Sequence, residues 1–373
     1  MRSLRVVAAV AIALIACGGA DTSRLGPAAA PSATVAAAPS ATQPINLDDM
    51  MGLYATQTVF VADGEKISAI TLLNHFTRYT IPTNGKAQAA TDAYWAFAAP
   101  SVNAVNAGGW LYVLDGIVDV PGPLRLRTFD INGAQVASRT DIGSVASTHR
   151  SLALTIDGRV LVLKSVGGRS WVDAYESLTL KPQGTVMEKA GCGDRLLASG
   201  SRVAIVCLAT GQIAVDGLRG GGTTVLGATL PNLAGVTMAE DGTIYAVTAD
   251  RKLAVVSPNT TTLSPLPWPS EWSGTVLPDT LAAASGSSSV VLAELADDGA
   301  WLRVFAANNL TQRTSLRLAG RLEGAPQFGV LALAPFAYYT SGGSVRHVEL
   351  STGMLETMTE VGQGATVVAV VNR

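Results

Sequence analysis

Charge is scarce in this chain. Only 14% of its 373 residues are Asp, Glu, Lys or Arg, against roughly 25% in an average soluble protein. A highly charged disordered polymer is therefore excluded, and with 48% hydrophobic residues there is material for a large core. The formal net charge of −2 argues against a strongly basic nucleic-acid binder. Histidine and cysteine are rare as well, three of each, which leaves little for multi-metal chemistry. His75, His149 and His347 lie far apart, without the paired spacing of zinc ligands. No Gly-rich phosphate loop, serine nucleophile elbow or zinc motif occurs. From sequence, no catalytic residue, metal site or cofactor is assigned.

The apolar run Val6–Ala16 has eleven residues, too few to cross a bilayer core of roughly 30 Å as a helix. It follows Arg2 and Arg5 and precedes Cys17, the layout of a secretory signal. Leu14-Ile15-Ala16-Cys17, with Gly18-Gly19 behind it, resembles the lipobox of bacterial lipoproteins. That resemblance implies a signal peptide over 1–16, lipidation of Cys17 and a cell-envelope protein anchored on the extracytoplasmic side of a membrane. On the residues alone, a signal peptide cut elsewhere or an uncleaved anchor stays open. Each buried acyl CH₂ contributes roughly 0.8 kcal/mol, so several chains hold firmly. Loss of 1–16 removes Arg2 and Arg5, so 26 basic side chains become 24 against 28 acidic ones, a net of −4. The anchor, not surface charge, would then supply membrane attachment. Residues 17–50 are rich in Ala, Pro, Ser and Thr and read as a flexible linker. As a coil this tether spans on the order of 30 Å, and up to about 80 Å if extended.

Over 51–373 the texture is of short apolar runs separated by Gly, Asp, Asn, Ser and Thr, an all-β pattern. A unit of apolar run, Gly-containing turn and second apolar run recurs. Its turn glycines are Gly109, Gly158, Gly200, Gly242 and Gly286, at gaps of 49, 42, 42 and 44. Weaker copies begin near Gln57 and Pro335, so about seven units of about 46 residues fit, the size of a four-stranded propeller blade. More polar outer strands are expected around Arg139, Arg313, Arg317 and Glu356. The first copy, Gln57–Pro82, holds three strands, and the C-terminal run Ala365–Val371 would complete it and close the ring. The expected fold is a seven-bladed β-propeller closed by a C-terminal strand, with six or eight blades or a pair of β-sandwiches as alternatives. The repeats resemble the tandem-repeat and quinoprotein-like bacterial propellers. Thr210-Gly211 and Thr352-Gly353 match turns of that pattern, whose tryptophans are lacking here.

Cys192 and Cys207 flank a hairpin whose turn reads as Ser199-Gly200. About that turn the two cysteines face each other, so a structural disulfide is expected. Two buried free thiols are the alternative. The Asp-Gly pairs at Asp63, Asp115, Asp157, Asp241 and Asp298 read as turns.

Long connections are expected on one face: Ile81–Ser101, Asp141–Arg150, Leu266–Asp279 and Ala319–Gln327 between blades, Asp115–Pro123 and Lys164–Arg169 within them. Lys86–Ala98 reads as either a short helix or an extra strand over that face. Loops on a rigid scaffold carry function. Candidate ligand contacts there are Trp268 and Trp272, which suit stacking on a sugar or peptide but could instead fill space between blades. His149 and Arg150 complete the candidates, with an ordinary solvated loop as their alternative. The expected function is a monomeric, membrane-anchored binding or scaffold module for a protein, peptide or glycan, without nucleic acid. A propeller-type lyase or glycoside hydrolase, with its site at the long-loop mouth of the central channel, is the alternative.

Overall fold

The computed structural model describes residues 57–87, 94–98, 110–116, 125–130, 132–142, 151–155, 158–199, 202–217, 222–226, 229–239, 241–258, 260, 262–270, 272–283, 289–307, 311–320, 322, 327–329 and 336–372. All belong to one unit of the chain, Asn46–Arg373. Cys17, His149 and Arg150 lie outside the described residues.

Among the described residues, twenty-eight strands form seven antiparallel sheets. Blade one combines β1 (Gln57–Thr71) and β2 (Thr77–Ala87) with the last strand, β28 (Thr366–Asn372). Blade two is β3 (Tyr94–Ala98), β4 (Leu111–Gly116), β5 (Arg125–Phe129) and β6 (Gln135–Arg139). Blade three runs β7 (Leu152–Leu154), β8 (Arg159–Val166), β9 (Arg169–Glu176) and β10 (Pro182–Ala190). Blade four holds β11 (Arg195–Ser199), β12 (Arg202–Cys207), β13 (Gln212–Gly217) and β14 (Thr224–Val225). In blade five the strands are β15 (Leu233–Met238), β16 (Ile244–Thr248), β17 (Leu253–Val256) and β18 (Ser264–Leu266). Blade six has β19 (Thr275–Val276) and β20 (Ala282–Ala283) on one edge of β21 (Ser289–Ala296), then β22 (Gly299–Ala306) and β23 (Gln312–Arg317). Blade seven is β24 (Gln327–Gly329), β25 (Phe336–Ser341), β26 (Ser344–Glu349) and β27 (Leu355–Glu360).

The innermost strands touch in the cyclic order β28, β3, β7, β11, β15, β20, β24 and back to β28. The chain is a closed seven-bladed β-propeller. β1 spans fifteen residues, yet the Leu72 N–H donates to the Gln57 carbonyl at 3.1 Å. A straight strand of that length would separate its ends by roughly 45 Å, so β1 folds back on itself near Asp63-Gly64. Its first half, Gln57–Ala62, pairs with β28, and Lys66–Ile70 pairs with β2. The C-terminal strand therefore completes the first blade, as the repeat arithmetic implied.

Hydrophobic packing explains why the blades' second strands carry consecutive apolar residues. Seven core clusters occupy the seven blade interfaces among the described residues. In β8, Val160 and Val162 face blade two while Leu161 and Leu163 face blade four. In β21, Val290 and Leu292 pack toward blade five, and Val291 and Ala293 toward blade seven. A strand covered on both faces needs apolar residues at every position, not every second one. Outer strands such as β6 and β27 keep mostly exposed or half-buried positions.

Several connections differ from the sequence-based expectation. Lys164–Arg169 is a tight hairpin, because Gly167 and Gly168 both take positive φ, 59° and 77°, the geometry a two-residue turn matched to strand twist demands. Within Ile81–Ser101, β2 continues to Ala87 and Tyr94–Ala98 forms the innermost strand of blade two. Cys192 and Cys207 are bonded, with Cα atoms 5.5 Å apart, but the hairpin register differs from the expected one. Ser199 pairs with Arg202 and Arg195 with Val206, so Cys192 is not opposite Cys207 on the ladder. It reaches its partner because the loop before β11 turns inward, the Asp194 N–H donating to the Val206 carbonyl at 2.7 Å and its carboxylate accepting the Leu208 N–H at 2.8 Å. The sulfurs lie with Asp194 in one cluster of potential metal-ligating groups. Their bond to each other removes the thiolates that a metal would need.

Candidate functional site

The face carrying the interblade and second-to-third-strand connections is shaped by an interruption in blade six. β19 and β20 pair with the same edge of β21, with Leu277–Leu281 between them leaving the ladder. Pro278 has no N–H to give to a ladder, and Asp279 takes φ 60°. The Thr280 hydroxyl fills the gap, accepting the Ala293 N–H at 3.1 Å and donating to the Leu277 carbonyl at 2.7 Å. The extra residues re-aim side chains, as bulges do. One is Asp279, whose carboxylate grips the guanidinium of Arg195, the first residue of the inner strand of blade four, with Nε–Oδ1 3.0 Å. Nη1 of Arg195 also donates to the Asp194 carbonyl at 2.8 Å. The pair links blades four and six across the end of blade five. Among the described residues, Arg195 is the sole charged residue on the seven innermost strands.

The other is Leu277, which lines a groove between blades six and seven. With Leu295, Ala300, Leu318, Leu322 and Leu355 it forms a mostly apolar wall around about 880 Å³. Leu295 is 50% exposed. Asp298 and Arg317 bring charge to the rim. They are held in place there: the Asp298 carboxylate accepts the Trp301 indole N–H at 2.8 Å, and Arg317 donates to the Asp298 carbonyl. Gly320, at φ 73°, packs close against Ser341, whose hydroxyl a Cβ there would meet.

Trp272, for which both a ligand contact and a filler between blades were open, is 2% exposed. Its ring packs on Phe305 at 4.8 Å between centroids and against Trp268 at 5.5 Å, within the core shared by blades five and six. Arg303 explains the burial. Its guanidinium sits 4.9 Å from the Trp272 ring and 5.1 Å from the Trp301 ring, and its Nε donates to buried Glu294 at 2.9 Å. An aromatic cover favours a desolvated cation, so the indole fills space between blades. Trp268 is half-buried at the same edge, its indole N–H donating to the Trp272 carbonyl at 3.1 Å. The groove residues escaped sequence reasoning because scattered leucines carry no local signature; they meet only through blade packing.

The fold is a seven-bladed β-propeller with a leucine-lined groove between blades six and seven. Among solved structures the chain is similar to that of U3-55K, at 12% identity and a TM-score of 0.53, covering 75% of this chain and 84% of that one. It is also similar to the crystal structure of a nidogen/laminin complex, at 9% identity and a TM-score of 0.44, over 70% of this chain and 94% of that one. The likeness to U3-55K shows the fold alone. No protein-family model and no curated protein matches the chain.

Proposed function

We propose that this chain is a membrane-anchored, extracytoplasmic binding or scaffold propeller that takes an apolar segment of a protein or peptide partner in the groove between blades six and seven. The observation that carries this reading is the groove: about 880 Å³, walled by leucines, with one acidic and one basic residue at its rim. Ligand clefts of roughly 300–1,000 Å³ are mostly apolar with a few placed polar groups. An exposed leucine patch with a charged rim matches the anatomy of a docking surface better than that of a sugar-cleaving cleft. The innermost strands support the same choice over a propeller enzyme, because the charge of Arg195 is already held by Asp279. Lipidation at Cys17 rests on the lipobox-like sequence Leu14–Cys17.

A photoreactive amino acid at Leu295 tests the reading in the native envelope, with the same group at Leu178, exposed on the opposite face, as control. Crosslinking to a proteinaceous partner from 295 and not from 178 is expected. Equal labelling from both positions, or none from 295, overturns the proposal. Cys17→Ser is expected to release the protein from the membrane fraction; retention there would remove the anchor.

A further inference from the structure

Exposed apolar side chains are not spread evenly around the ring. Eight large hydrophobics are exposed among the described residues, and five of them lie on one arc: Leu73 and Phe76 in blade one, Val136 in blade two, Leu178 in blade three and Met354 in blade seven. These four blades are consecutive in the ring. All five residues sit in, or just after, the turn that leads into the outermost strand of a blade, at the strand ends away from the interblade connections. Val166 and Leu295 lie at the opposite ends, beside hairpins of second and third strands. We propose that Leu73, Phe76, Val136, Leu178 and Met354 form a lipid-contact surface that seats the propeller on the bilayer, a reading that rests on the anchor at Cys17 proposed above.

Three observations support lipid as the occupant. The first is where the chain enters the propeller. The Gln57 carbonyl accepts the Leu72 N–H at 3.1 Å, so β1 starts beside the turn that carries Leu73 and Phe76. A tether spanning on the order of 30 Å as a coil keeps that point close to the membrane holding the anchor. The second is rigidity. In blade one the Thr71 N–H donates to the Phe76 carbonyl at 3.1 Å and the His75 N–H to the Thr71 carbonyl at 3.0 Å. The same two bonds recur from Glu176 and Leu180 in blade three, and from Glu349 and Gly353 in blade seven. The fifth residue of each turn takes positive φ: His75 58°, Leu180 54°, Gly353 75°. Turns locked in one shape hold Phe76, 69% exposed, outward with little ordering left to lose on contact. The third is spacing. These apolar residues stand on four separate turns, and a fluid bilayer boundary conforms to such points, whereas a protein partner needs a contiguous complementary patch.

The surrounding charges suit the same surface. Arg78 and Lys181 are exposed just beyond Phe76 and Leu178, where their heads can reach lipid phosphates while the apolar tips dip below. Acids in these turns are engaged locally. The Asp130 carboxylate accepts the N–H groups of Asn132 and Ala134, both at 2.9 Å. Glu349 accepts the hydroxyls of Ser351 and Thr352 at 2.9 and 2.6 Å, and Glu176 that of Thr179. Glu356 lies 3.8 Å from Nε2 of His75, which joins the blade-one turn to the strand that begins beside Met354.

The test places a photoreactive amino acid at position 76 of the full chain in its native envelope, with position 295 as control. Both side chains are exposed, so neither replacement touches the core. After illumination, mass spectrometry of the peptide carrying the group identifies what it captured. Phospholipid adducts are expected from position 76, roughly tenfold more than from position 295, and again from position 354. Lipid capture from 76 no greater than from 295, or protein captured there in place of lipid, overturns the inference. Fractionation of Cys17→Ser separates this outcome from failure of the anchor. Release of that variant without lipid adducts at 76 in the otherwise wild-type chain refutes the contact surface and leaves the anchor standing. Retention of that variant together with lipid adducts at 76 supports the contact surface and removes the anchor.

Discussion

Replacing Val367 probes the closure of the ring at its seam. Val367 lies on β28, is buried, and packs with Val59, Val61, Phe336 and Tyr338 in the core between blades seven and one. Its strand pairs with Gln57–Ala62, and the Thr340 hydroxyl donates to the Ala365 carbonyl at 2.6 Å just before it. Val367→Ala removes two methyl groups from this core, worth about 0.8 kcal/mol each by transfer. The remaining cavity adds to that, for a total of about 2–3 kcal/mol. A loss of 1 kcal/mol lowers Tm by about 2–4 °C in domains of 150–250 residues, and somewhat less in larger ones, so a drop of about 3–8 °C is expected by circular dichroism. Val367→Asp would bury a carboxylate among hydrocarbons, at a cost of several kcal/mol. Against a total stability of about 5–15 kcal/mol, that variant should be largely unfolded or aggregated. The neighbouring Val368, half-buried and packed against the other interface, should cost less on truncation. If Val367→Ala melts within 1 °C of wild type and Val367→Asp folds normally, β28 does not close blade one and the ring argument fails.

Three further outcomes follow from the geometry. Peptide mapping without reductant should recover Cys192 linked to Cys207, and Cys192→Ser with Cys207→Ala should cost at most about 3 kcal/mol in denaturant unfolding, given the short loop; two alkylatable thiols in native protein would contradict this. Thr280→Val keeps the side chain's shape but leaves the Ala293 N–H unpaired, so a loss of about 1–3 kcal/mol is expected in urea melts, and an unchanged midpoint would remove the hydroxyl from its bridging role. For Arg195 and Asp279, a double-mutant cycle with Arg195→Met and Asp279→Asn should give a coupling of about 1–3 kcal/mol, because Arg195 is nearly buried while Asp279 keeps some solvent; additive single effects would show the pair is idle.

Much of the architecture was legible because propeller strands follow local rules. Gly158 and Gly242, with φ of 79° and 86°, close turns after first strands as their spacing implied. The apolar run of β28 announced itself as an inner strand without a blade. The cysteine pairing was also readable, although its reason was not: the register is fixed by β11 and β12, and an inward-turning loop supplies the contact. What remained hidden depends on packing between blades. Trp272 in its Pro-rich loop reads equally as a ligand contact or as filler, and only its packing on Phe305 and Arg303 decides for the latter. The groove leucines come from strands and loops with no common motif. His75 and Glu356 are remote along the chain, and only the closed ring makes them neighbours.

The central functional claim is that the leucine groove between blades six and seven holds a partner's apolar segment. The most direct measurement is the affinity, by calorimetry, of the protein crosslinked from position 295 for wild type and for Leu295→Asp, with both propellers shown to melt alike. A loss of at least tenfold is predicted, since a charge placed on the groove wall must be desolvated when the partner docks. Equal affinities would contradict the account and move the docking surface elsewhere on the ring.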